Sequence, residues 1–199
     1  MLPSFAFGDK IFRWLIEIDE ETCRRVAAAR CPHCEGPLHR GDYPRKPRGG
    51  LLAATAEAFT RRLSLCCGWS GCRRRATPPS VRFLGRRVYA GVAVVLASIV
   101  WRAVARASEA KRVTGIPART QGRWVAWWEM KFPQSKLYQQ ERGRFLPPLV
   151  ISELPASLVE RFEAAAAVQD GAALVRALVF LSPLTTQSVV DGSRFVRAR

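Results

Sequence analysis

The sequence predicts an α+β fold, and three observations carry that reading. Two cysteine pairs, Cys31 with Cys34 and Cys67 with Cys72, flank a stretch dense in Gly and Pro turn signals. From Val88 onward the apolar residues switch to helical spacing. Prolines at 133, 147 and 148 then cut the helical part into pieces. Four units are expected: an N-terminal packing segment over 1–30, a hairpin module over 31–87, a three-helix module over 88–133 and a helical region over 134–199.

Residues 1–22 mix Phe5, Phe7, Ile11, Phe12, Trp14, Leu15, Ile16 and Ile18 with acids, which suits an amphipathic helix or an edge strand. Thr22 to Arg30 reads as a short helix entering the first knuckle. After Cys31 come Gly36-Pro37, Gly41-Asp42, Tyr43-Pro44, Lys46-Pro47 and Gly49-Gly50, all helix breakers. Residues 52–62 suit a short helix. Leu63 to Cys67, then Gly68-Trp-Ser-Gly71, then Cys72 to Thr77 read as a hairpin that Pro78-Pro79 ends. Val88, Val92, Val95, Leu96, Ile99 and Ala103 line one helix face, and the positions between them are apolar too, so this helix belongs in a core. At about fourteen residues between arginines it is short for a membrane span. Ala107 to Thr114, a turn at Gly115, and Pro117 to Phe132 complete the three-helix unit. Further helices are expected near 156–169 and 172–181, and Trp101, Trp124, Trp127 and Trp128 are expected in the core.

The formal net charge is +16 over 199 residues. Between Arg24 and Arg144 stand 25 Lys and Arg against 6 Asp and Glu, while the rest of the chain has 7 basic and 10 acidic residues. A basic middle between near-neutral ends reads as a surface for a polyanion. Of the basic residues 27 are arginine, whose planar fork matches phosphate oxygens and guanine edges. The N-terminus carries Glu17, Asp19, Glu20 and Glu21 rather than a basic start and an apolar core, so no signal peptide is read and a cytoplasmic protein is expected. In that compartment the paired cysteines favour a metal over disulfides.

Cys31-Pro-His-Cys34 has the spacing of a chelating turn, because two soft anionic sulfurs with two residues between them reach one ion. For the second pair we take Cys67 and Cys72, with Gly68 and Gly71 allowing a tight loop. Cys66, one residue back, faces the other side of a strand and is held in reserve. His33 and His39 are alternative ligands, and free thiols are the alternative to a site. One structural zinc is expected, in a zinc-ribbon-like module. The separation of some thirty residues between pairs exceeds the usual ribbon spacing. Arg73, Arg74 and Arg75 follow the last ligand at once, and Arg45 and Lys46 lie in a proline-stiffened basic run, so these five are the expected phosphate contacts.

The phrase Gly115-Ile-Pro-Ala-Arg-Thr-Gln-Gly-Arg-Trp124 resembles the turn and recognition helix of a helix-turn-helix domain. Gly115 takes the turn, Ile116 the apolar place after it and Trp124 the anchor. Arg119, Thr120 and Arg123 would then face base edges or phosphates. Gln121 stands where an apolar residue is usual.

Taken together, Cys31-Pro-His-Cys34, the run from Leu38 to Arg48, Cys72-Arg-Arg-Arg75 and the helix-turn-helix phrase resemble small proteins carried by bacterial insertion sequences. They are also similar to N-terminal DNA-binding parts of transposases, over roughly residues 30–132. The resemblance implies a non-catalytic protein linked to a mobile genetic element, bound to double-stranded DNA in the bacterial nucleoid, with a transposase or recombinase as a further partner and no membrane. The catalytic half of a transposase is not recognisable: the acids after Trp128 show no strand-end setting for a metal-holding triad, and there is no Gly-rich phosphate loop. The alternatives are an RNA-binding subunit of a ribonucleoprotein and a degenerate transposase or nuclease.

Overall fold

The computed structural model describes residues 9–45, 57–84, 90–163 and 171–187. Helix α1 (Asp9–Ala28) leads into strands β1 (Leu38–Arg40) and β2 (Tyr43–Pro44), a single turn α2 (Glu57–Thr60), and strands β3 (Arg61–Arg62), β4 (Leu65–Cys67) and β5 (Arg75–Ala76). The described residues that follow are mainly helical: α3 (Gly91–Ala103), α4 (Ala107–Thr114), α5 (Ala118–Met130), α6 (Lys136–Glu141), α7 (Ala156–Glu163), α8 (Ala172–Leu181) and α9 (Leu184–Gln187), with short 3-10 turns between. The chain is therefore mixed helix and strand, with two small antiparallel sheets, β1-β4-β5 and β2-β3. Among the described residues no helix is long and apolar enough to cross a membrane.

From Asp9 to Ala28 the N-terminal segment is one helix of 20 residues rather than a strand or two short pieces, while Phe5 and Phe7 lie outside the described residues. At 1.5 Å per residue it is about 30 Å long, and it serves two cores. Ile11 and Leu15, one turn apart, enter the large core with Phe59, α3, α5 and α8. Two turns further, Cys23 enters a second, small core with Leu63 and Leu65, on which Val26, Ala27, Leu38 and Ala76 pack. The spacing 11, 15, 19, 23 keeps one stripe facing inward.

Asp19 sits in that stripe between the two cores, and it is buried together with Arg82. Its carboxylate accepts from Arg82 Nε at 2.8 Å, from Ser80 Oγ at 2.6 Å and from the Val81 N–H at 2.7 Å. Arg82 also donates to the Phe59 carbonyl at 3.2 Å. A buried charge persists only when paired and hydrogen-bonded in this way. Near the far end of α1, Glu20 receives both terminal nitrogens of Arg40, at 2.8 and 3.0 Å, which fastens the helix to β1.

Helix α3 is buried on nearly every side, as its all-round apolar sequence demands. Its expected first residue, Val88, lies outside the described residues. Trp128 of α5 packs against α3 and donates its indole N–H to Ser98 at 3.2 Å. Trp127, Trp128, Phe132 and Tyr138 meet edge-on or tilted at 4.9 to 5.6 Å between ring centroids. Trp124 is buried as well, and Trp101 is half-buried. Helices α7 and α8 pack on each other, with α8 adding Leu174, Val175 and Leu178 to the large core. Of the two helices expected there, α8 matches its expected bounds, and residues 164–170 beyond α7 lie outside the described residues.

Candidate metal centre

Strand β4 pairs with β1 on one side, Leu38 opposite Cys67 and His39 opposite Cys66, and with β5 on the other, Cys66 opposite Arg75. Alternation along β4 buries Leu65 and Cys67 and turns Cys66 to the other face. The Cys66 sulfur lies 3.4 Å from the Arg73 carbonyl, so Cys67 is the ligand candidate.

Both knuckles are tight turns. In the first, the Cys31 N–H donates to the Gly36 carbonyl at 3.0 Å and the Glu35 N–H to the Cys31 carbonyl at 2.8 Å. In the second, the N–H groups of Cys72 and Arg73 both donate to the Trp69 carbonyl at 3.0 Å. The Gly68 N–H donates to the Pro37 carbonyl at 2.8 Å and locks one knuckle to the other. Within the segment between the pairs, β2 and β3 pair antiparallel, Tyr43 opposite Arg62 and Pro44 opposite Arg61, so its unusual length does not separate the sulfurs.

The sulfurs of Cys31, Cys34, Cys67 and Cys72 all lie within 4.8 Å of one another. Cys31 and Cys72 are 3.8 Å apart, and Cys34 and Cys67 are 3.4 Å apart. Four thiolates about 2.3 Å from a zinc ion stand about 3.8 Å apart at the corners of a tetrahedron, so the donor set fits such an ion in number, kind and spacing. The four thiols also perturb one another. The His33 backbone N–H draws the Cys31 thiol down to about 7. Cys34 is pushed up to about 12: the Gly36 N–H favours its thiolate, but burial and the Cys67, Cys72 and Cys31 sulfurs prevail against it. Sulfurs this close cannot all be anionic unless a positive ion sits among them.

Neither histidine joins the cluster. The His33 Nδ1 is hydrogen-bonded to Arg74 Nη1 at 3.0 Å. The His39 ring lies over Gly68, where an added Cβ would come within 2.5 Å of its Nε2, so a larger residue there would have to displace the ring. Cys23, the sixth cysteine, is buried beside Arg40 in the small core, and burial pushes its thiol up.

The expected phosphate contacts fall into two kinds. Arg73 and Arg74 are exposed on the second knuckle. Arg75, although exposed, is committed: its Nη1 donates to the Gly41 carbonyl and the Ser64 hydroxyl, both at 2.9 Å, and its guanidinium lies 5.4 Å from the Tyr43 ring centroid. Arg45 lies on the same ring at 5.0 Å and donates to the Tyr43 hydroxyl at 3.2 Å. Lys46 lies outside the described residues.

In the three-helix part, Gly115 has φ 69°, the left-handed turn its sequence anticipates. Arg119 is exposed at the start of α5. Thr120 needs correction as a base contact, because it is buried: the first turn of α5 points Thr120 and Gln121 inward with Trp124. Arg123 is half-buried over Thr120, 3.4 Å from its hydroxyl. Gln121, polar at an apolar place, is fully buried, and its amide donates to the Thr114 hydroxyl at 3.0 Å and the Ile116 carbonyl at 2.8 Å. It thus closes the turn that the apolar residue usually only packs.

Sequence reasoning missed Asp19, Arg82 and Arg40 as structural charges. Their partners are distant in sequence, and the one available signal was an acid on the inward stripe of α1. No protein-family model, curated protein or solved structure matches the chain.

Proposed function

We propose that this chain is a non-catalytic DNA-binding protein folded around one structural zinc ion. The observation that carries the reading is the four-sulfur cluster with Arg73 and Arg74 exposed directly after its last ligand, in a chain of net charge +16. In this reading β1, β4, β5 and the two knuckles form a zinc-ribbon-like unit, and α3, α4 and α5 form a helix-turn-helix. The left-handed Gly115, the buried Ile116 and Trp124 and the exposed Arg119 support the second assignment. Arg73 and Arg74 hold phosphates, and Arg119 reads the groove with Arg123 beside it. Phosphate contacts position and base contacts specify. The resemblance to proteins of insertion sequences makes the ends of a mobile element the first DNA to examine, with a transposase or recombinase as the partner.

Selection of bound sequences from a random duplex library, with and without a zinc chelator, tests the reading. Enrichment of one motif that chelation abolishes is the expected result. Substituting Arg119 should relax the motif. Substituting Arg73 and Arg74 should weaken binding to all duplexes and lower the salt slope by about 1 per phosphate lost. Retention of no duplex, or preference for structured RNA in competition, overturns it.

A further inference from the structure

Trp69 stands at the tip of the second knuckle with 57% of its surface exposed, whereas Trp124, Trp127 and Trp128 are buried. Burying an indole is worth more than burying almost any other side chain, and the turn itself does not require one: what Trp69 contributes to the knuckle is its backbone carbonyl, which accepts the Cys72 and Arg73 N–H groups.

The ring is nevertheless held in place. A Cβ built on Gly36 would come within 3.2 Å of Trp69 Cγ, so the indole rests against the bare backbone of the first knuckle, next to the Cys34 and Cys67 sulfurs. Its base is fixed by the cluster, and more than half of the side chain is presented to solvent. Arg73 and Arg74 are exposed on the same loop. Among the described residues Arg73 makes no ion pair, and Arg74 Nη1 lies 3.0 Å from His33 Nδ1. Glu35 is the one acidic residue in the two knuckles.

A fixed aromatic surface on the same short loop as two exposed arginines matches one chemical class. Bases inside a duplex offer only their edges in the grooves. The face of a base is open only outside the stack, where it lies on an aromatic ring while cations hold the flanking phosphates. We infer that the knuckle tip is a stacking site for an unpaired nucleobase, at a strand end or a distorted step, with Trp69 as the platform and Arg73 and Arg74 on the adjoining phosphates. The inference rests on the nucleic-acid reading above and adds the class of substrate to it: a duplex that carries an unpaired base.

The test uses the full chain loaded with zinc and three fluorescently labelled probes: a blunt duplex, the same duplex with a short thymidine overhang, and the same duplex with an abasic overhang of equal length. The abasic strand keeps the phosphates and removes the bases. The wild-type chain should bind the thymidine overhang about 5- to 150-fold more tightly than the abasic one, the range that base–aromatic stacking covers. Trp69→Ala should erase that difference, and Trp69→Phe should keep part of it. Zinc content of each variant checks that the knuckle is intact, and the wild-type comparison of the two overhangs needs no variant at all. Equal wild-type affinity for the two overhangs overturns the stacking site while binding of the blunt duplex leaves the broader reading standing. Failure to bind any of the three probes overturns both.

Discussion

Gly36 is a position where one methyl group should be felt at the metal. A Cβ there would lie 3.1 Å from the Cys67 sulfur, 3.3 Å from the Cys34 sulfur and 3.2 Å from Trp69 Cγ. All three are closer than comfortable carbon contacts of about 3.5–4.0 Å, and two of them are donors that the ion would hold at fixed radius. Neither sulfur can retreat without lengthening a metal bond, so the strain falls on the site. Overpacking of this kind costs about 1–3 kcal/mol, which corresponds to a loss of zinc affinity of about 5- to 150-fold. Gly71, in the second knuckle, is the internal control, since a Cβ there meets nothing within 4 Å. Competition with a chromophoric chelator, run on wild type, Gly36→Ala and Gly71→Ala, measures both. Equal zinc affinity in the two variants, or no stoichiometric zinc in the wild type, refutes the reasoning.

Three further outcomes follow from the same geometry. Cys67→Ser should lose stoichiometric zinc by elemental analysis, while Cys66→Ser should retain it, because the two sulfurs lie on opposite faces of β4. Asp19→Ala should leave Arg82 buried without its carboxylate and cost about 3–5 kcal/mol in urea unfolding; a loss under about 1 kcal/mol would show that water reaches the site. Glu20, half-exposed, is held below its usual 4.5 by the hydrogen bond from Arg40. Its folded value is depressed, so its contribution is complete above pH 4.5 and disappears as the pH falls through that lower value. Wild type should exceed Glu20→Gln by about 0.2–1 kcal/mol at pH 7, with the two converging in strong acid, as thermal unfolding across pH would record.

How much was legible in the sequence depended on the range of the interaction. Local rules sufficed for Cys67 over Cys66, since strand alternation alone separates adjacent residues, and for the turn at Gly115, where only a left-handed residue reverses the chain. The all-apolar run of α3 announced a buried helix in the same way. Strands of two or three residues, such as β1 and β2, are too short to show any alternation, so they stayed hidden among the turn signals. The continuity of α1 was obscured by Asp19 and Thr22, polar residues on or near its inward stripe. The reason Asp19 is tolerated there lies at Arg82, 63 residues away. Thr120 was misplaced for a related reason: the short phrase identifies a helix start but not its rotation, which Trp124 and the hydrogen bonds of Gln121 fix.

One rod roots both cores, since α1 gives Leu15 to the tryptophan-rich interior and Cys23 to the small core beside β4. The distance from the knuckle tip to the start of α5 is accordingly set in advance rather than tuned by a linker. On the nucleic-acid reading proposed above, a duplex that engages both would have to suit that reach, and inserting a few base pairs between its two points of contact should release one of them.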